Sequence, residues 1–259
     1  MMKKLWLLIL LGLSLNTAAQ TPEERGLEIA MEADRRETGF HDSTASMRML
    51  LRNKQGDESA RDIRVKTLEQ ENDGDKSLTI FDRPADVKGT AFLSFTHRSG
   101  PDDQWIYLPA LKRVKRISSR NKSGPFMGSE FAYEDLSSQE VEKYTYKYLH
   151  DDSFNGLDSF VIERDPVDTF SGYTRQVVWI DKEEYRPQKI DYYDRKNSLL
   201  KTLIFGEYRQ FLDRYWRSHD MQMENHQTGK STRLTWSGYE FRTGLTERDF
   251  DRNSLNRVR

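Results

Sequence analysis

Cysteine is absent from the 259 residues of this sequence. Its absence excludes disulfide bonds, and it also excludes the acylated cysteine that anchors many exported bacterial proteins to a membrane. An excess of one charge is missing as well, because without Lys3 and Lys4 the 41 basic residues become 39 against 42 acidic ones, a formal charge of −3. This near balance argues against nucleic acid as a partner.

Long apolar runs are missing too, except at the start of the chain. Lys3 and Lys4 precede an apolar stretch from Leu5 to Leu15, and Thr17-Ala18-Ala19 provides the small residues of a cleavage site. The pattern predicts a signal peptide over residues 1–19, cut after Ala19 or after Gln20. An uncleaved membrane anchor is the alternative, but the run is too short to span a bilayer.

An export signal without disulfides is typical of the Gram-negative periplasm. The mean hydropathy of −0.86 is that of a water-soluble protein. Charged residues make up 32% and aromatic residues 12% of the sequence, a mixture expected when strands have one wet face and one face of large rings. We therefore expect a soluble, monomeric periplasmic protein, with residues 20–259 forming a single domain.

The first element after the leader reads as a helix. Thr21 is a cap residue, Pro22 suits the first turn, and Glu24 is placed to reach back to the cap. Leu27, Ala30, Met31 and Asp34 then fall on one stripe, and Gly39 ends the element. The spacing predicts one amphipathic helix of about seventeen residues.

From Ser43 onward the apolar residues alternate with polar ones, as in strands. Met47 and Met49, Leu93 and Phe95, and the Trp105-Tyr107 pair are examples. Turn residues separate these runs at Asp73-Gly74-Asp75, Asn155-Gly156 and Thr228-Gly229. The pattern predicts about eleven to thirteen short strands in an antiparallel meander that curls into a barrel or half-barrel.

One stretch, from Ser119 to Leu136, breaks the alternation. It contains glycines, a proline and several aromatic residues, and it predicts a long loop with a short helical turn over Phe131 to Leu136. The end of the chain, from Thr246 to Leu255, predicts a final capped helical turn.

Several of these segments together resemble the outer-membrane lipoprotein-sorting protein family, the periplasmic LolA-like carriers. The resemblance is closest to the branch associated with resistance-nodulation-division (RND) or MMPL-type exporters. It rests on the following segments, of which those from Trp105 to Leu136 are the specific part: Asp73-Gly74-Asp75-Lys76-Ser77, Trp105-Ile106-Tyr107-Leu108-Pro109, Arg113, Arg116-Ile117, Phe126-Met127-Gly128-Ser129-Glu130-Phe131 and Tyr133-Glu134-Asp135-Leu136.

This resemblance implies a mainly β fold with flanking helices. The expected architecture is an incomplete, strongly curved antiparallel β-barrel with an N-terminal helix and a lid loop over an apolar cavity. The implied partners are lipoprotein acyl chains or free lipid, an inner-membrane RND/MMPL-type transporter and a transient outer-membrane acceptor. The sequence lacks the motifs of the best-studied lipoprotein carriers, so the identity of the cargo stays open.

A half-barrel can hold a guest because alternating side chains place one apolar set inside it. Methionine and aromatic side chains adapt to variable chains without polar partners. The residues expected to line the cavity, each of which also fits an ordinary core position, are Met47, Met49, Leu93, Phe95, Trp105, Tyr107, Phe126, Met127, Phe131, Val177 and Trp179.

Two features of the long loop and its neighbourhood have alternative readings. Phe126 and Met127 beside Gly128 form either a movable plug or a fixed hydrophobic latch. A basic run is either a solvated strand face or a contact for lipid headgroups or an acidic patch on a transporter. The residues of this run are Lys112, Arg113, Lys115, Arg116, Arg120 and Lys122.

Catalysis finds little support in the sequence. The five histidines are scattered without metal-ligand spacing, and Ser137 and Ser138 lack a nucleophile context. We therefore expect no enzyme, no cofactor and no metal.

A soluble carrier of acyl chains is the leading hypothesis. A periplasmic sensor module that binds amphiphiles to signal envelope stress is the alternative, and a hydrolase with a lipocalin-like pocket is the weakest candidate.

Overall fold

The computed structural model describes residues 19–257. The predicted signal peptide falls outside the described residues except for Ala19. The predicted helix is confirmed as α1, Pro22–Glu37, with the reciprocal cap that the sequence indicates. The Thr21 hydroxyl accepts from the Glu24 amide at 3.1 Å, and the Glu24 carboxylate accepts from the Thr21 amide at 2.9 Å. No helix of residues 19–257 is long and apolar enough to cross a membrane.

Thirteen strands follow and form one antiparallel sheet. They are β1 Asp42–Arg52, β2 Glu58–Leu68, β3 Lys76–Arg83, β4 Ala91–Phe95, β5 Asp103–Leu108, β6 Arg113–Ile117, β7 Tyr144–Phe154, β8 Leu157–Pro166, β9 Tyr173–Asp181, β10 Pro187–Asp194, β11 Leu199–Phe211, β12 Tyr215–Asn225 and β13 Ser231–Phe241. Short 3-10 turns occupy much of the segment between β6 and β7, including Tyr133–Leu136 where a helical turn was predicted, and the C-terminus at Glu247–Phe250 and Arg252–Arg257.

Two meanders join at the middle of the sheet. The strand order is β6-β5-β4-β3-β2-β1-β13-β12-β11-β10-β9-β8-β7. The pairing of β1 with β13 therefore connects the first meander, β1 to β6, with the second, β7 to β13. The sheet ends at β6 on one side and β7 on the other, so it curves without closing, and the predicted half-barrel is confirmed.

The sheet carries two separate apolar cores. The larger core lies on the concave side and includes Ile29 of α1, Met49 of β1 and Phe126 of the long loop. The smaller core lies on the other face of β3 to β5, where Leu93 and Trp105 meet Phe250 and Leu255 of the C-terminal turns. Strands β3 to β5 are therefore buried on both faces, because the C-terminus covers the side that would otherwise be wet.

Candidate functional site

A cavity of about 520 Å³ lies between α1 and the concave face of the sheet. Both meanders and the segment between the long loop and β7 contribute to its wall. Its apolar lining residues are Ala30, Ala33, Phe40, Ala45, Val65, Val141, Tyr146, Ile162, Val178, Ile180, Tyr185, Pro187, Ile190, Phe205, Tyr208, Met221, Trp216, Trp236 and Tyr239. Its size falls within the range of about 300 to 1,000 Å³ that is usual for small-molecule sites.

Small side chains leave this part of the concave side unfilled. Gly26 brings the first half of α1 into direct contact with β7, since a Cβ there would lie 2.7 Å from the Lys147 carbonyl carbon. Further along the chain, Ala30 and Ala33 of α1 and Ala45 of β1 face the cavity. Alanine offers too little volume to close the gap between helix and sheet, so the interior stays open where native cores are normally filled.

Charged residues surround one side of the cavity. Its wall includes six carboxylates and four arginines, which are Asp34, Glu37, Glu69, Asp73, Asp75, Glu140, Arg98, Arg164, Arg186 and Arg217. Several of these charges are paired. Arg217 donates to Glu37, and Arg98 lies 3.9 Å from Glu140. The exposed residues Asp34, Glu37 and Thr38 mark this side as the mouth of the cavity.

The carboxylates at the mouth have unequal proton affinities. Burial raises the pKa of Asp75 to about 7, and the negative charges of Glu140 and Glu69 act in the same direction. Burial and Glu140 also raise the pKa of Asp34. Burial opposes ionisation of Asp73 as well, but the hydrogen bond from His97 at 2.6 Å and those from the amides of Arg98 and Gly74 together outweigh it and keep the pKa of Asp73 low. Burial likewise raises the pKa of Glu37. Asp75 therefore titrates near neutral pH, and its neighbours Asp34 and Glu37 also hold their protons more tightly than free carboxyl groups.

None of the eleven residues expected to line a cavity is on the wall of this one. Met47, Met49, Phe126 and Phe131 belong to the larger core, with Met127 packed against it. They fill the part of the concave side beside the cavity. Their predicted contact with a ligand stays a prediction.

The other predicted lining residues lie on the opposite face of their strands. Leu93, Phe95, Trp105 and Tyr107 belong to the smaller core under the C-terminal turns. On β9 the cavity is lined by Val178 and Ile180, so Val177 and Trp179 point away from it. The Trp179 indole donates instead to the Asp152 carboxylate at 2.9 Å.

The long loop directs its apolar residues inward. Phe126 is completely buried, with its ring 5.2 Å from that of Phe92 and 5.5 Å from that of Tyr133. Polar contacts fix the loop to both meanders, because Gln104 of β5 donates to the Tyr133 carbonyl and Lys201 of β11 donates to Asp135. These contacts favour the fixed latch over the movable plug. The cavity wall includes the segment that follows the loop, from Ser138 to Val141.

The basic residues of the sequence prediction lie away from the cavity. Lys112, Arg113, Lys115 and Arg116 are exposed along the edge strand β6 and the turn before it. Arg116 is paired with Asp103, Lys122 with Asp168, and the Arg120 guanidinium lies 5.6 Å from the Phe170 ring centre. Their contact with headgroups or a partner stays a prediction.

Sequence reasoning missed the cavity wall, and most of its apolar residues come from the second meander. The alternation does predict the strands that contain Phe205, Met221 and Trp236. It looks the same, however, as the alternation of strands that line a filled core, so it does not mark these residues as cavity wall. Two signals were available in the sequence. One was the run of alanines at the helix face, and the other was the group of carboxylates just after an apolar strand, at Glu69 to Asp75.

Comparisons with known proteins identify relatives along most of the chain. A family model described as "uncharacterized protein" matches residues 73–257. No curated protein matches the sequence. A solved structure of a DUF1329 family protein from Desulfovibrio piger is 31% identical with a TM-score of 0.86, covering 91% of this chain and 99% of the other. A LolA superfamily protein from Nitrosomonas europaea has a TM-score of 0.71 at 21% identity, covering 88% and 98%.

A solved domain from Vibrio parahaemolyticus, described as an outer membrane lipoprotein-sorting protein domain, superimposes with a TM-score of 0.89. It covers 90% of this chain. The identity of 63% over 99% of that domain shows that this chain belongs to the outer membrane lipoprotein-sorting protein family and has the LolA superfamily fold.

Proposed function

We propose that this chain is a carrier that binds the acyl chains of a lipoprotein or lipid in the cavity between α1 and the sheet. The observation that supports this proposal most strongly is the apolar wall of a cavity of about 520 Å³. Burial of each methylene group contributes about 0.8 kcal/mol, so a twelve-carbon chain gains roughly 9 kcal/mol before the costs of ordering. That gain suffices to hold an amphiphile that water would otherwise drive into a membrane.

The place of this transport and its two end points form part of the proposal. We infer that residues 20–259 act as one domain in the periplasm, after removal of the signal peptide, and move cargo between an inner-membrane RND/MMPL-type exporter and the outer membrane. The description of the Vibrio relative as a lipoprotein-sorting protein domain supports this role. Binding is the proposed activity, because most of the cavity wall is apolar and the Vibrio relative is described as a lipoprotein-sorting protein domain.

The exposed basic edge is the proposed contact for membranes or partners. Lys112, Arg113 and Lys115 have no acidic partner within ion-pair distance among residues 19–257, and the apolar side chains of Leu111 and Val114 stand exposed beside them at 51% and 39%. Basic groups near an anionic lipid surface contribute about 1 kcal/mol each. Replacing the three basic residues with glutamine should therefore weaken attachment to phosphatidylglycerol vesicles without changing attachment to phosphatidylcholine vesicles.

Mass spectrometry of lipid extracted from the exported, purified protein tests the carrier proposal. We expect bound acyl species in the wild type and in Ala85→Trp, which alters an exposed turn. Ala45→Trp places an indole in the cavity and should abolish them. If the wild type contained no acyl species after purification without detergent and took up none from vesicles, the carrier proposal would be wrong.

A further inference from the structure

The cavity changes from apolar to acidic along two of its elements. On β2 and the residue after it, Val65, Thr67 and Glu69 point to the cavity at alternate positions. On α1, Ala30 and Ala33 are followed on the same face by Asp34 and Glu37. Both elements therefore place apolar residues deep in the cavity and carboxylates at its mouth. This arrangement suits an elongated amphiphile whose hydrocarbon chain lies inside and whose polar end lies at the mouth.

Negative charge predominates where these two elements end. The negative charges of Glu69 and Glu140 add to burial in raising the pKa of both Asp34 and Asp75. Two basic side chains act on the group, Arg98, which lies 3.9 Å from Glu140, and Arg217. Glu69 is engaged by the backbone, because it accepts hydrogen bonds from the amides of Gly39 and His41 at 2.5 and 2.7 Å. The group therefore retains more negative than positive charge.

Asp34, Glu69 and Asp75 lack an ion pair among residues 19–257, but two backbone amides hold Glu69, so Asp34 and Asp75 are the two carboxylates left to meet a charged ligand. Within residues 19–257, no basic side chain lies within ion-pair distance of either one, whereas Glu140 has Arg98 and Glu37 has Arg217. Asp75 is half-buried, and Asp34 lies at the exposed rim of an apolar cavity. A half-buried carboxylate without a counter-charge costs free energy, and a cation placed beside it removes that cost. The cavity provides the apolar part of the site, and these two carboxylates give its mouth a preference for positive charge.

We propose that the cavity selects amphiphiles whose polar end carries a cationic amine, with the hydrocarbon against the apolar wall and the ammonium group between Asp34 and Asp75. This inference rests on the proposed carrier function and defines the ligand class of the same cavity. The preference distinguishes the mouth from the basic edge at β6, which suits anionic headgroups.

Three ligands with the same dodecyl chain test the proposal. Dodecylamine, dodecyl maltoside and dodecanoate are cationic, neutral and anionic, and each displaces a neutral fluorescent probe from the full exported protein. We expect dodecylamine to bind about tenfold more tightly than dodecanoate, with the maltoside between them. In the double variant Asp34→Asn/Asp75→Asn the three affinities should converge. Asp158→Asn, which removes an exposed carboxylate outside the cavity, should retain the order.

The outcomes separate this inference from the carrier function. Equal binding of all three ligands, or tighter binding of dodecanoate, overturns the amine preference and leaves the carrier function standing. Binding of none of them overturns both. Circular dichroism checks that the double variant is folded, because its affinities count only in that case. If the variant does not fold, the order of the three affinities in the wild type decides the question.

A pH series on the wild type gives an independent readout. The groups that face the ammonium position are Asp34, Glu37, Glu69, Asp73, Asp75, Glu140, Arg98 and Arg217. Since the pKa of Asp75 is about 7, its negative charge increases between about pH 6 and pH 8. Dodecylamine should bind more tightly at the higher pH, while the affinity for the maltoside stays constant. Equal pH dependence of the two ligands contradicts the placement of the amine beside Asp75.

Discussion

The Lys201 ammonium group lies 2.7 Å from the Asp135 carboxylate, and the two side chains are only 4% and 5% exposed. Lys201 belongs to β11 and Asp135 to the long loop, so this buried pair connects the loop to the second meander. Lys201 also donates to the Glu130 carbonyl at 2.8 Å. The Tyr173 hydroxyl donates to the same carboxylate at 2.9 Å, and burial raises the pKa of Tyr173 further, so it stays a neutral donor.

Removal of one partner from this pair should destabilise the fold. Lys201→Met leaves the Asp135 carboxylate buried without a counter-charge, and such a change costs about 3 to 5 kcal/mol. Urea denaturation measures the free energy of unfolding. The double variant Lys201→Met/Asp135→Leu removes both charges and should recover much of the loss.

The exposed pair of Arg48 and Asp62 provides the matched control. Its atoms lie 3.3 Å apart, and its side chains are 62% and 41% exposed. Arg48→Met should change the free energy of unfolding by less than about 1 kcal/mol. Similar losses for Lys201→Met and Arg48→Met would show that the buried pair does not hold the loop.

Phe126 should matter to folding more than to uptake. Its side chain is completely buried against Phe92 and Tyr133 and is not on the cavity wall. We expect Phe126→Ala to lower the free energy of unfolding by about 3 to 5 kcal/mol. The affinity of the folded fraction for a fluorescent fatty acid should stay within about twofold of the wild type. A large loss of affinity with unchanged stability would instead make the loop a movable plug.

This expectation differs from what the sequence suggests for Phe126→Asp. If the loop were a movable plug, as one reading of its sequence predicts, Phe126→Asp would weaken the uptake of a fatty acid and leave the fold intact. In the structure, an aspartate at this position would bury a carboxylate in the larger core, which costs several kcal/mol. We therefore expect Phe126→Asp to unfold the protein, and the thermal transition of the variant checks this.

The sequence was enough to predict where the helix and the strands lie, but not which face of each strand lines the concave side of the sheet. The capping residues Thr21, Pro22 and Glu24 determined where α1 begins, and the alternation of apolar residues determined the strands. Alternation locates two faces without saying which one is concave. On β4, Phe92 faces the larger core and Leu93 the smaller one, and both are fully buried because the C-terminal turns cover the outer side.

The same ambiguity explains the missed cavity. The run Val177-Val178-Trp179-Ile180 is apolar on both faces of β9, so its pattern cannot distinguish the cavity side from the outer side. The cavity also depends on how closely α1 approaches the sheet, which is set by the contact of Gly26 with β7. The distance between α1 and β7, which are far apart in the sequence, does not change the periodicity of apolar residues in either element, so the sequence does not reveal it.

Asp75 should make the stability depend on pH. Its pKa is raised to about 7 in the folded protein, above the ordinary value of 3.8, so the folded state binds more protons than the unfolded state between these two values. Stability contributed by this group is therefore present at low pH and is lost as pH rises toward about 7. Asp75→Asn should be more stable than the wild type at pH 8 by on the order of 2 kcal/mol and should show little advantage near pH 4.

Chemical denaturation at the two pH values checks this expectation. Asp158→Asn serves as the control, because that exposed side chain lies outside the cavity. A constant difference between Asp75→Asn and the wild type at both pH values would mean that the carboxyl group does not titrate where its burial and its acidic neighbours indicate.

The central claim, that acyl chains occupy the cavity between α1 and the sheet, is tested most directly by tryptophan quenching with a brominated fatty acid. Trp216 and Trp236 are on the cavity wall, whereas Trp105 and Trp179 are not. Two variants separate these pairs. In the first, Trp105 and Trp179 are changed to phenylalanine, so the tryptophans on the cavity wall remain. In the second, Trp216 and Trp236 are changed to phenylalanine, so the tryptophans away from the cavity remain. The account predicts strong, saturable quenching in the first variant and little in the second. Quenching confined to Trp105 and Trp179, or absent from both variants, would contradict it.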